Sequence, residues 1–244
     1  AQELILARAV DALPAPALAA LAALSMADLP LGREEALAVL VQAGVVAADE
    51  AALALRRVHQ AGLSEAFGGD RLKIHDAVRL VGLARLAEMG AERKQAVRRA
   101  LREALFVSLM ERRDLTRLAL YLRLLTEDGE IKPLVEFATD ELFHEMGVWP
   151  EIRAYLEQAA GSEDVDPEDR FWALDGLVFG EMRAGIGPGA LAKVDEMDRL
   201  VAAHGLGVAE RLAAGMKRMN VLAAFGDHDG VVQAIVAVTD ELQP

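Results

Sequence analysis

Cysteine is absent from this 244-residue chain. Its absence excludes structural disulfides, thiolate zinc sites and thiol nucleophiles, and it fits a cytoplasmic setting. Aromatic residues make up only 5% of the sequence, and the runs of β-branched and aromatic residues that build strands are scarce. Serine occurs four times, as Ser25, Ser64, Ser108 and Ser162, and none of them lies in a Gly-x-Ser-x-Gly elbow. Acyl-transfer chemistry therefore has no nucleophile to start from. No Gly-x-x-x-x-Gly-Lys-Ser/Thr segment occurs either, so the chain has no phosphate-cradling loop with which to hydrolyse a nucleoside triphosphate. It is not expected to be an enzyme.

Long apolar runs are missing too. The most apolar stretch, "ALPAPALAALAALSM" from Ala12 to Met26, holds Pro14 and Pro16 and has no basic region before it. It is shorter than the ~18–20 residues of a membrane span and reads as a buried helix. Positive charge is also in short supply, with 26 Lys and Arg against 39 Asp and Glu, a net −13. Up to Gly90 there are eight basic and eleven acidic residues; beyond it there are 18 and 28. An acidic surface repels phosphate backbones and lacks the basic stripe that nucleic-acid binding needs, so nucleic acid and anionic membranes are poor partners. The start at Ala1, without an initiator Met, reads as a processed product or a piece of a longer polypeptide.

Hydrophobic residues account for 53% of the chain, much of it Ala and Leu. These residues lose little side-chain entropy in a helix, so the expected fold class is mainly α. Two regions read differently, and a boundary is expected near residue 90. In residues 1–90, helical stripes run over Pro16–Met26, Glu34–Ala43 (with Gly44 as a natural C-terminal stop) and Glu50–Gln60. Two short strands follow, Leu63–Phe67 and Leu72–Ile74, around the Gly68-Gly69-Asp70 turn. Three helices closed by a small β-hairpin describe a winged helix.

Residues 91–244 carry no strand signal and read as four helix pairs. These are Arg93–Arg112 with Leu115–Thr126, Lys132–Met146 with Trp149–Ala160, Asp166–Ala184 with Gly189–Ala203, and Val208–Ala224 with Asp229–Leu242. Asp166-Pro167 is an N-cap followed by proline at the first helical position. The pairs begin roughly 35–41 residues apart, the period of tetratricopeptide-like helical repeats. Shifting the third pair by 41 residues superposes Arg170 on Arg211, Ala173 on Ala214, Gly185 on Gly226 and Val194 on Ile235.

Several local patterns have simpler explanations than chemistry. "GDHDG" (Gly226–Gly230) lacks the ligand spacing of a calcium loop and reads as a turn between helices. His144-Glu145 has no second His in helical spacing, so no metal site is expected. Asp195/Glu196 and Asp240/Glu241 fall on solvated helix faces, and Trp172 and Phe179, seven residues apart, share one helix face. Arg56 and Arg57 on the third helix are the residues a DNA-reading winged helix would use, and they read as solvated surface.

The segment "RLKIHDAVRLVGLARL", with the "ALPAPALAALAALS" opening, "LVQAG" and the hairpin, carries a resemblance. Residues 1–90 resemble the winged-helix domain that follows the nucleotide-binding core of STAND-type (NB-ARC-like) signal-transduction NTPases. In that family the wing strand ends in Met-His-Asp, followed by a helix with an early Val-Arg. Here the triplet is Ile74-His75-Asp76, followed by Ala77-Val78-Arg79; Ile keeps the apolar anchor that Met provides.

The resemblance implies that His75 points at the diphosphate of ADP and helps lock a closed state. It implies that Asp76 caps the following helix and supports His75. Histidine suits the role, since it donates to phosphate oxygens and titrates near neutrality, at ~6.5 when unperturbed. Asp76 is also a good N-cap with no ligand present. The missing phosphate loop implies that the catalytic core, and with it ATP or ADP, belongs upstream of Ala1.

The expected function is therefore regulatory. A tetratricopeptide-like array at 91–244 would recognise a protein partner or small inducer, and the winged helix would pass that event to the nucleotide core. The alternatives are a stand-alone helical-repeat adaptor and a winged-helix transcriptional regulator.

Overall fold

Prolines open the most apolar helix of the N-terminal region. Pro14 stands in extended backbone at its N-terminus, and α1 (Ala15–Leu24) follows with a second proline in its first turn. Ala17, Ala20, Leu21, Ala22, Ala23 and Leu24 are all buried, as expected of a helix that is apolar all round. The computed structural model describes residues 8–241. The chain is mainly α with one small antiparallel sheet. It divides into two units, one running to Leu124 and the other starting at Leu125.

In the first unit, α1 is followed by β1 (Leu31–Gly32), α2 (Arg33–Gln42), α3 (Ala48–Gln60), β2 (Ser64–Phe67), β3 (Arg71–Ile74) and α4 (Asp76–Glu88). α1 packs against α3 and α4, with α2 beside it. The sheet order is β1-β3-β2. β2 and β3 form the expected hairpin, with Ser64 opposite Ile74 and Ala66 opposite Leu72. Its turn needs left-handed backbone, which Gly69 (φ 77°) adopts without strain and Asp70 (φ 58°) tolerates. β1 was not expected; its two residues pair with Leu72 and Arg71 of β3.

The helix α5 (Ala91–Arg112) and the turn Leu115–Arg117 belong to this unit, so the division lies at 124/125 and not near residue 90. The reason is a buried polar lock. α5 packs on α2, and its Ser108 Oγ donates to Glu35 Oε1. Arg117, whose side chain is only 4% exposed, pairs with Glu35 Oε2 at 2.8 Å and donates to the Pro30 carbonyl at 3.2 Å. Glu35 also accepts from the Gly32 amide at 2.7 Å, the reach-back half of a capping box. Burial alone would raise the Glu35 pKa. Ser108, Gly32 and Arg117 outweigh it and hold the carboxyl below the ordinary range.

The helix α6 (Leu118–Glu127) spans the division. The second unit continues with α7 (Ile131–Thr139), α8 (Glu141–Glu145), α9 (Trp149–Gly161), α10 (Pro167–Arg183), α11 (Gly187–His204), α12 (Val208–Ala224) and α13 (His228–Glu241). The helix expected over Lys132–Met146 is broken at Asp140. That residue is extended (φ −81°, ψ 121°) and accepts from the Leu142 amide at 2.8 Å, so a new helix starts there. Leu242, the expected last helical residue, lies outside the described residues.

The centre of this unit is α10, which packs against α7, α9, α11 and α12. It buries Phe171, Ala173, Leu174, Leu177 and Val178. At Gly180 it comes so close to the Trp149 ring that a β-carbon would collide with it. Asp166 caps the helix as expected, accepting from the Glu168 amide at 2.9 Å.

The starts of the last four helices keep the 41-residue offset. α10 and α12 start at Pro167 and Val208, and α11 and α13 at Gly187 and His228, each pair offset by 41. Gly185 and Gly226 follow the ends of α10 and α12 with φ of 75° and 80°. Arg170 donates to the Ala160 carbonyl at 3.0 Å and Arg211 to the Leu206 carbonyl at 3.1 Å. Each arginine ties the first turn of its helix to the chain just before it. Ala173 and Ala214 are both buried, whereas Val194 is buried and Ile235 exposed.

Candidate functional site

The hairpin sets the site by alternation. Ser64, Ala66, Leu72 and Ile74 pair on one face of the sheet, and Glu65 and Lys73 pair on the other. Ile74 is fully buried and anchors the end of β3, the role expected of it. The His75 amide then donates to the Leu63 carbonyl at 3.1 Å, which fixes the backbone where strand becomes helix.

His75, not Asp76, occupies the N-cap position of α4 (φ −51°, ψ 130°), and its side chain caps nothing. Its carbonyl accepts from Val78 and Arg79 at 2.8 and 3.0 Å and so starts the helix. The expectation that Asp76 caps α4 is corrected: Asp76 is the first helical residue, and its carboxylate pairs with Lys73 Nζ at 2.8 Å. The hydrogen bond from Lys73 is the main reason that the Asp76 pKa lies below its ordinary value. A carboxylate in the first turn also suits the helix dipole.

The His75 ring is half-exposed. Its Nδ1 lies 2.8 Å from Glu65 Oε1, with 45% of the histidine side chain and 43% of the glutamate side chain open to solvent. Glu65 thus orients the ring and leaves Nε2 without a protein partner among the described residues. With Nδ1 donating to Glu65, Nε2 of the neutral ring is an acceptor, and only the imidazolium donates from both nitrogens. The next residues anchor the site: Val78 is buried and Arg79 Nε donates to the Ser25 carbonyl at 3.0 Å.

No protein-family model, curated protein or solved structure matches this chain.

The site thus brings together His75 and Asp76 with two residues that neither the triplet nor its spacing points to, Glu65 and Lys73. The signal for both is strand alternation, which puts them opposite each other on the hairpin face next to the triplet. Of the other candidates, Arg56 and Arg57 are exposed on α3. His144 Nε2 lies 2.7 Å from the Ala138 carbonyl and its ring stacks on Trp149 at 5.2 Å, so it is used in packing. Of "GDHDG", expected as a turn, only Gly226 and Asp227 lie between helices; His228–Gly230 open α13, and Asp227 accepts from the Gly230 amide at 2.9 Å. Among the described residues no cluster of His, Asp or Glu could hold a metal ion, and no helix is long and apolar enough to cross a membrane.

Proposed function

We propose that the chain is the regulatory region of a STAND-type signalling NTPase. In this reading the first unit contains a winged helix, made by α1 to α4 with the β2–β3 hairpin as its wing. The second contains a tetratricopeptide-like array that recognises a protein partner or small inducer. His75 senses the nucleotide diphosphate of a core encoded elsewhere in the gene, and the two units together convert recognition into release or retention of ADP. Such coupling requires two states that differ in nucleotide affinity.

The observation that carries the reading is the state of His75. His144 is stacked on the Trp149 ring and bonded at Nε2. His75 is half-exposed, held by Glu65 at a strand-to-helix junction, with Nε2 open. With Nδ1 donating to Glu65, donation from Nε2 to a phosphate oxygen requires the imidazolium. The element order helix, strand, helix, helix, strand, strand, helix and the 41-residue register of α10–α13 support the assignment of the two units.

The competing reading is a stand-alone helical-repeat adaptor. The Glu65 contact favours it, because it gives the ring a partner with no nucleotide present. The two separate on the complete gene product carrying His75→Ala. Protein is purified, denatured and assayed for released ADP by chromatography. Loss of most of the bound ADP relative to wild type is expected. A variant that retains ADP like wild type, or a wild-type protein with no bound nucleotide, sinks the sensor role and leaves the adaptor.

A further inference from the structure

On the inner face of the hairpin, opposite to His75, a cleft of about 340 Å³ opens between α3 and the sheet. Its lining includes Arg33, Arg56, His59, Ser64, Asp70 and Arg71. Three arginines and a histidine thus line the cleft beside one aspartate, in a protein whose net charge is −13. Acidic residues are in such surplus that most arginines of the chain find a carboxylate or carbonyl, as Arg79, Arg85, Arg117, Arg153 and Arg218 do. Arg33 and Arg56 are among those that do not: neither side chain has a hydrogen bond or ion pair among the described residues. Arg71 has only a long contact to Asp114, at 3.8 Å.

The cleft is also furnished around these charges. His59 Nδ1 lies 3.2 Å from Ser64 Oγ, which fixes the ring and leaves Nε2 without a protein partner among the described residues. The Arg33 amide donates to the Asp70 carbonyl at 3.0 Å and ties the start of α2 to the hairpin turn. Three segments (the start of α2, the end of α3 and the hairpin) thus bring cationic groups to one small concavity.

We propose that this cleft binds a single phosphate group, with Arg33 and Arg56 as its principal ligands. Guanidinium forks match the geometry of phosphate oxygens and form charge-assisted hydrogen bonds with them. A dianion would balance the cationic surplus of the lining. The site lies on the face of the sheet away from His75 and does not depend on the nucleotide-sensor reading.

Duplex DNA is a poorer match. It presents a negative charge about every 1.7 Å along its axis and binds through extended rows of cations, commonly about 6–10 phosphate contacts. This cleft offers one cluster on an acidic chain. The phosphate could be the free ion or a group on a nucleotide, and the chemistry of the site is the same for both.

The test is calorimetric titration of the full chain with inorganic phosphate and, separately, with ADP, in a buffer free of phosphate and sulfate. Saturable binding of at least one is expected. Arg56→Gln and Arg33→Gln should each weaken it by roughly tenfold or more, while His75→Ala leaves it unchanged. Circular dichroism checks that the variants stay folded. Binding of phosphate without ADP identifies the free ion as the source; displacement of phosphate by ADP identifies the nucleotide. No saturation by either probe overturns the proposal. So does equal affinity in the arginine variants, loss of binding in His75→Ala, or saturation by a DNA duplex alone.

Discussion

The two units are held together by different means. In the first, residues far apart in sequence meet in a buried polar lock: Glu35 from α2, Ser108 from α5 and Arg117 from the turn after it. In the second, neighbouring helices stack in a 41-residue register, and each arginine tie reaches back to the chain just before its own helix. The first unit concentrates its polar specificity in a few long-range contacts. The second spreads it over similar contacts made twice. Two charge pairs between helices, each with a buried carboxylate, break that pattern: Asp175 of α10 with Lys217 Nζ of α12, and Glu181 of α10 with Arg153 of α9, both at 3.0 Å.

The largest predicted effect follows from the lock. Arg117→Ala would leave Glu35 buried with no cationic partner, and breaking a buried pair costs about 3–5 kcal/mol. The expected result is faster hydrogen exchange in peptides covering α2, β1 and the facing part of α5. Replacing the pair together, as Glu35→Gln with Arg117→Met, should recover most of the loss, because no charge is then left buried alone. If the single variant exchanges like wild type, the lock does not hold α5 to this unit.

Acid distinguishes the two units by sign. The folded pKa of Glu35 is below its ordinary 4.5, so its contribution is complete above that value and is lost as pH falls through the folded pKa. The folded pKa of Asp175 is above its ordinary 3.8, because burial outweighs the attraction of Lys217. Its contribution is therefore fully present below 3.8 and is lost as pH rises through the folded pKa. Urea midpoints of wild type, Glu35→Gln and Asp175→Asn, measured from acid to neutral pH, check both. Relative to wild type, Glu35→Gln should worsen as pH rises through the glutamate range and Asp175→Asn should improve. Parallel profiles would mean that neither carboxyl is tuned by its surroundings.

The same contrast explains which features the sequence disclosed. Helix boundaries in the second unit are legible because local signals set them. Val208–Ala224 was expected as observed, and the Asp166-Pro167 pair marks the start of α10 by its own chemistry, a capping side chain followed by a residue with no amide to satisfy. The break at Asp140 is hidden, since one capping residue inside an apolar stripe does not disturb its period. In the first unit, β1 has only two residues, too few for alternation to register. The attachment of α5 is hidden for a similar reason. Val97, Ala100, Leu101 and Leu105 form the stripe that any array helix would show, and only the partners of Ser108 and Arg117 attach it elsewhere. At the site, His75 and Asp76 are visible as neighbours in sequence. Glu65 and Lys73 join them through the hairpin register, which pairing and not composition determines.

The smallest effect tests the repeat itself. Arg170→Met and Arg211→Met keep most of the apolar stem and remove the guanidinium ties to the Ala160 and Leu206 carbonyls. A partly buried bond of this kind is worth on the order of 1 kcal/mol, so each variant should lose about that much stability. Both tryptophans, Trp149 and Trp172, lie in the second unit, so fluorescence during urea unfolding follows this unit directly. Equivalent positions of a true repeat should lose stability equally, and the double variant should lose the sum to within about 0.5 kcal/mol, since well-separated sites add. If Arg170→Met is costly and Arg211→Met is neutral, the 41-residue register is a coincidence of helix lengths. The second unit would then be an irregular bundle, and the proposed recognition surface could not be sought at repeated positions.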